Sequence, residues 1–169
     1  MITIDMTRRE GGKGVALVEL ASKRKQTYIV RTDLQPYQTE EADGVTFIEH
    51  WFEYRPSIEE VKEFVLGVIN RQTDEKILSG FVWDGQPVWL SAESQRNFSE
   101  AHRMGMVPVT FKLWELPGGT AVYHTFETMS ELDDFYRHAC AYINQCLQEG
   151  WQKKDGFDFG DYEKELSRF

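Results

Sequence analysis

Ile77-Leu78-Ser79-Gly80-Phe81-Val82-Trp83-Asp84-Gly85-Gln86-Pro87-Val88-Trp89-Leu90-Ser91-Ala92-Glu93-Ser94-Gln95-Arg96-Asn97-Phe98 reads as a hairpin followed by a helix start. Asp84-Gly85 sits between two apolar runs, Ile77–Trp83 and Pro87–Leu90. That dipeptide signals a two-residue turn, because a type I′ turn needs positive φ at both central positions. Ser91 offers a helix cap. The helix after it is expected to reach about Met104, with Gly105 as its stop and Phe98, Ala101 and His102 on its inner face. The stretch carries architecture and no chemistry.

The same plan of strand, turn, strand and capped helix is legible on either side. Upstream, Gln26–Thr32 and Val45–Tyr54 read as strands joined by a polar loop, Gln35–Gly44. Pro56 ends the second strand. Ser57 and Glu60 then form a Ser-x-x-Glu capping box. Val61, Phe64, Val65, Val68 and Ile69 follow helical spacing, and the helix is expected to end near Gln72. Downstream, Val107–Leu116 and Ala121–Phe126 pair through Pro117-Gly118-Gly119. Thr128 and Glu131 form another capping box, and the longest helix follows to about Glu149, with Gly150 as its C-cap. Its stripe is Leu132, Phe135, Tyr136, Ala139, Tyr142, Ile143, Cys146 and Leu147. A further strand is expected at Gly14–Leu20, before a polar turn at Ser22–Gln26. The tail from Trp151 reads as a short docked segment and a final helical turn. The fold class is therefore α+β: antiparallel hairpins each followed by a helix, in ββα-like units, with the helices packed on one face of the sheet. The three caps recur, but the sequences between them share little, so this is no solenoid. One domain over residues 1–169 is the expectation, its first 55 residues strand-rich.

Composition narrows the function classes. The chain has 169 residues with 41% hydrophobic content, enough for a core. Mean hydropathy is −0.51. The longest apolar runs, Phe64–Ile69 and Ile77–Trp83, fall far short of the roughly 20 residues that span a bilayer. The N-terminus, Met-Ile-Thr-Ile-Asp-Met-Thr-Arg-Arg-Glu, has early charge and no apolar stretch after it, so no secretion signal is expected and the protein is expected to be cytoplasmic when made. Nineteen basic and 28 acidic residues leave a net charge of −9. Such a surface repels a phosphate backbone, which speaks against nucleic-acid binding. The basic clusters, Arg8-Arg9 and Lys23-Arg24-Lys25, both lie near the N-terminus; the second has turn character and reads as a solvated turn rather than a binding arm. Cys140 and Cys146 lie six residues apart on a helix, too far around its axis to pair, and two cysteines make no zinc site.

Each candidate site has a bland reading beside a functional one. Trp51, Phe52, Tyr54, Phe81, Trp83, Trp89, Phe111, Trp114 and Tyr123 all sit on predicted strands. Such rows serve as core or cross-strand ladders, or stack on sugar rings. Trp83 and Trp89, flanking the Asp84-Gly85 turn, are expected to lie near each other across the hairpin. Trp83, Trp89 and Trp114 are the candidate surface-contact residues. His50, His102, His124 and His138 show no metal spacing, though a cleft joining His124 or His138 to a carboxylate would point to catalysis. Of the acidic clusters, Glu59-Glu60 suits a helix N-terminus. Glu40-Glu41 with Asp43 reads as loop. Asp155–Asp161 lacks the calcium-loop pattern. Asp158-Phe159-Gly160 has no kinase partners in the chain, and Gly11-Gly12-Lys13-Gly14 is no phosphate loop. No catalytic residue, metal or cofactor is assigned.

Residues 77–98 resemble a domain-of-unknown-function family of phages and prophages, of the type found near tail-fibre genes and familiar from gut Bacteroides-like bacteria. Pro108-Val109-Thr110-Phe111-Lys112, Tyr123-His124-Thr125-Phe126-Glu127 and the helix close at Gly150-Trp151-Gln152-Lys153-Lys154-Asp155 extend the likeness to about residue 161. These motifs are structural. The resemblance implies a shared ββα fold over 56–161 and no catalytic residue. It also implies a non-enzymatic, tail-associated protein that meets other phage or host proteins, or itself; charge and hydropathy add the expectation of neither nucleic acid nor membrane as partner. The alternative is a small carbohydrate- or ligand-binding module working through surface Trp and Tyr.

Overall fold

Asp84 and Gly85 take φ of 47° and 73°, both positive, and close the hairpin that their pairing predicts. The structure, a computed structural model, describes residues 2–39 and 43–169. The expected loop cluster at Glu40-Glu41 lies outside the described residues. The fold is α+β, with antiparallel sheets throughout. It divides into two compact units, Met1–Arg71 with Lys153–Phe169, and Gln72–Gln152.

The first unit holds a four-stranded antiparallel sheet of β1 (Arg8–Gly11), β2 (Val18–Ser22), β3 (Thr27–Gln38) and β4 (Asp43–Phe52), in the order β1-β4-β3-β2. The β3–β4 hairpin is longer than the polar composition of Gln35–Gly44 suggests. Gln35 pairs with Thr46 and Gln38 with Asp43, beyond an irregularity at which Asp33 takes φ 54°. Polar strand ends are compatible with pairing because the backbone, not the side chain, makes the ladder. β1 has no apolar alternation to announce it. Its Arg8 instead donates to Asp33 Oδ2 at 2.5 Å and to the Thr46 hydroxyl at 3.0 Å.

The first half of α1 (Ile58–Ser79) and α4 (Gly160–Leu166) supply the apolar partners of this sheet. Val30, Ile48 and Phe52 meet Val61, Phe64, Val65, Val68, Tyr162 and Leu166 in one core. The Tyr162 hydroxyl donates to the Arg31 carbonyl at 2.8 Å, and burial pushes its pKa up to about 12. Arg31 itself is buried. It faces Glu49 in register, pairs with Glu19 at 2.7 Å and lies 5.1 Å over the Phe47 ring.

The second unit repeats hairpin then helix. β5 (Phe81–Trp83) and β6 (Gln86–Val88) precede α2 (Ala92–Met104), and β7 (Val109–Leu116) and β8 (Thr120–Phe126) precede α3 (Met129–Asp155). Ser91 caps α2, its Oγ accepting from Ser94 N–H at 3.1 Å, and Gly105 stops it with φ 63°. Thr128 Oγ1 accepts from Glu131 N–H at 3.3 Å. Phe81, Val88, Leu90, Phe98, Leu113, Phe126, Leu132 and Phe135 make the core.

Two helix ends differ from expectation. α1 runs on to Ser79, so Ile77-Leu78 belongs to the helix and not to the strand. Gln72 to Lys76 are polar but helix-permissive, and Ile77 keeps the four-residue spacing from Ile69 through Thr73. α3 likewise continues through Gly150. That glycine is buried, and a Cβ there would stand 2.5 Å from Thr73 Oγ1. It permits close approach of helices rather than capping one.

Candidate functional site

The β5–β6 register decides where the tryptophans go. Trp83 lies opposite Gln86, and Phe81 opposite Val88. Facing residues share one side of a hairpin and neighbours alternate. Trp89, next after Val88, is therefore on the other side from Trp83. The expected Trp83–Trp89 pair across the hairpin does not form, because the two positions are out of register.

Trp83 closes the core. Its ring sits 5.3 Å from Phe135, 5.4 Å from Phe126 and 5.2 Å from His124, and its Nε1–H donates to Asp134 Oδ2 at 3.1 Å. Trp89 instead meets Trp114, with ring centres 4.8 Å apart and planes at 60°. Its backbone N–H donates to the Leu113 carbonyl at 2.7 Å, which fixes the residue against β7. The structure thus brings together two of the three candidate contact residues.

Trp89 lines a cleft of about 240 Å³. Phe98 and Phe111, in edge-to-face contact at 4.8 Å, share the lining. Glu93, Ser94 and Asn97, which with Phe98 belong to α2, also line it. Glu93 and Asn97 are four residues apart and so share a helix face. The Lys112 ammonium lies 5.8 Å over the Trp89 ring and pairs with Glu115. The α2 residues were not singled out from sequence. The signal was the Ser91 cap, which fixes the helix phase.

A second hollow, of about 470 Å³, is lined by Asp74, Ile77 and Leu78 of α1, Leu90 to Ala92 and Gln95, and Ile143 and Leu147 of α3. A neighbouring hollow of about 270 Å³ shares Leu90, Gln95 and Ile143 and adds Arg96, Ser99, Tyr136 and Cys140. Together they make an apolar groove along α3. Leu78 on its rim is 43% exposed.

The histidines have local partners. His124 Nε2 lies 2.8 Å from Glu131 Oε1, while the other oxygen of Glu131 accepts Glu127 N–H at 3.1 Å. The imidazole is packed on Phe126 at 4.6 Å. This pair braces the start of α3. His138 Nδ1 lies 2.8 Å from the Asp134 backbone carbonyl one turn earlier and 3.4 Å from its Oδ1. His102 Nε2 lies 2.9 Å from Asp133 Oδ1 and stacks on Tyr136 at 4.3 Å. The His102 hydrogen bond, with Arg137 adding to it, holds the Asp133 carboxyl below its usual range. His50, in the first unit, packs on Phe52 and Phe64, and burial pushes its pKa down. Cys140 is exposed, Cys146 buried, and both are free. Among the described residues, no group of three or more His, Cys, Asp or Glu side chains is placed to hold a metal. In the tail, Asp158 accepts from Gly160 N–H at 2.9 Å and belongs to the start of α4. Among the described residues, no helix is long and apolar enough to cross a membrane.

Residues 60–164 match the family described as Domain of unknown function (DUF4376). The chain belongs to this family. The match is wider than the resemblance read from sequence. It contains the whole second unit, and with it the Trp89 cleft and the apolar groove. No curated protein and no solved structure matches the chain.

Proposed function

We propose that this DUF4376 chain is a non-catalytic protein of phage or prophage origin. It works by contact with other proteins, as a tail-associated structural element or an assembly factor. The observation that supports the reading is the apolar groove along α3. Ile143, Leu147 and Tyr136 sit on one face of a helix, with Leu78 and Leu90 beside them. From Tyr136 to Leu147 the helix rises eleven residue steps, or about 16 Å at about 1.5 Å per residue, which matches three turns of a partner helix. Apolar grooves of this kind accept amphipathic helices through anchors one turn apart. Arg96 lies at one end and Asp74 at the other, so the partner helix carries an acid at one end and a base at the other. The phage assignment rests on the resemblance over residues 77–161. His124 and His138 each meet a carboxylate, but neither pair lines the cleft or the groove described above, which favours a non-catalytic reading. The net charge of −9 speaks for a protein partner over nucleic acid.

Mass spectrometry of particles purified after induction of the encoding host tests this. The chain should co-purify with tail proteins at fixed stoichiometry, or occur with them in assembly intermediates. Its absence from both would overturn the reading.

A further inference from the structure

The Trp89 cleft shares only Phe98 with the groove proposed for protein contact, and its chemistry differs. We infer that it is a binding site for one neutral pyranose ring at the end of a glycan. Size comes first. At about 240 Å³ the cleft falls below the roughly 300–1,000 Å³ of pockets that take drug-sized ligands, so it holds a single ring. The lining comes second. It is aromatic from Trp89, Phe98 and Phe111 and polar from Glu93, Ser94 and Asn97. A pyranose presents the same division, a face of C–H bonds and a rim of hydroxyls. A purely apolar side chain would satisfy the aromatic lining and leave Asn97 and Glu93 dehydrated without partners, which is unfavourable.

Charge selects within the sugars. Lys112 is neutralised by Glu115, while Glu93 faces the cleft and repels a carboxylate, so a neutral hexose fits better than an acidic one. Preorganisation completes the case. Trp89 is held by its hydrogen bond to Leu113 and by the Trp114 ring, so little ordering remains to oppose binding. A sugar stacked on Trp89 displaces the Lys112 ammonium from the ring face. The flexible lysine stem permits this, and the ammonium then donates to a hydroxyl at the rim.

The test is titration of the full chain with methyl glycosides of glucose, galactose, mannose and N-acetylglucosamine, followed by saturation-transfer NMR and the Trp indole N–H resonances. Saturable binding of at least one of them is expected, with shifts confined to Trp89 and Trp114 and none at Trp83. Asn97→Ala, an exposed substitution that leaves the aromatic lining intact, should weaken binding about tenfold or more. Trp89→Ala should abolish it with the circular dichroism spectrum retained. Leu78→Asp, in the groove, should leave sugar binding unchanged, which separates this site from the proposed protein contact. No saturable binding of any of the four, or binding undiminished in Asn97→Ala, overturns the assignment. So does preferential binding of a glucuronide or of an indole.

Discussion

Replacing Gly150 by alanine sets two effects against each other. In an unconstrained helix interior, Gly→Ala stabilises by about 1 kcal/mol, because glycine loses the most backbone freedom on folding. Here the new Cβ would stand 2.5 Å from Thr73 Oγ1, 3.2 Å from its Cγ2 and 3.4 Å from its Cβ. Threonine is branched at Cβ, so rotation that withdraws one heavy atom brings the other forward. Overpacking of this kind costs about 1–3 kcal/mol. Set against the propensity gain, the clash leaves a net loss of up to about 2 kcal/mol, equivalent to a Tm lower by up to about 8 °C for a chain of this size. The assay is thermal or urea unfolding of wild type, Gly150→Ala, Thr73→Ala and the double variant. Thr73→Ala removes the two nearest atoms, so Gly150→Ala should be neutral or stabilising in that background. A higher Tm for Gly150→Ala alone would refute the reasoning, as would an equal loss in both backgrounds.

Three further outcomes follow from the same structure. Ser91→Ala should lower stability by about 1 kcal/mol, since the hydroxyl that accepts from Ser94 N–H is lost, while Ser91→Asn should largely retain it; urea midpoints check this. Tyr162→Phe should lose about 1 kcal/mol by stranding the buried Arg31 carbonyl, and an unchanged unfolding midpoint would contradict the role assigned to that bond. His50 has its pKa lowered by burial, so the unfolded chain takes up its proton first as pH falls. The stability that the neutral ring contributes is thus present above the ordinary histidine pKa and declines as pH drops through about 6.5. His50→Gln should flatten the dependence of Tm on pH between 5 and 8, and an unaltered profile would count against it.

Local signals with a stereochemical requirement proved legible. Asp84-Gly85, the Ser91 and Thr128 caps and the Gly105 stop each demand one conformation, and each has it. Signals that rest on composition alone did not fix boundaries. Gln35–Gln38 and Asp43-Gly44 belong to a polar stretch yet are paired, and the polar segment Gln72–Lys76, where the helix is expected to end, stays helical. Gly150 illustrates why: a glycine near a helix end suits a cap or a close contact, and only Thr73, far away in sequence, chooses between them. The candidate site was half legible for the same reason. Trp83, Trp89 and Trp114 are conspicuous, but strand register sends Trp83 into the core and Trp89 to the other side. Glu93 and Asn97 had no signal of their own beyond their spacing on a capped helix.

The central claim is that the second unit acts by protein contact through the groove along α3. Its most direct test is incorporation of wild type and of the Leu78→Asp, Ile143→Asp double variant into particles from the encoding host, quantified by mass spectrometry. Circular dichroism would confirm that both chains fold. The account predicts wild type at fixed stoichiometry with tail proteins, or in their assembly intermediates, and loss of the folded variant from both. Equal incorporation of the two chains, or association of neither with any particle protein, would contradict it.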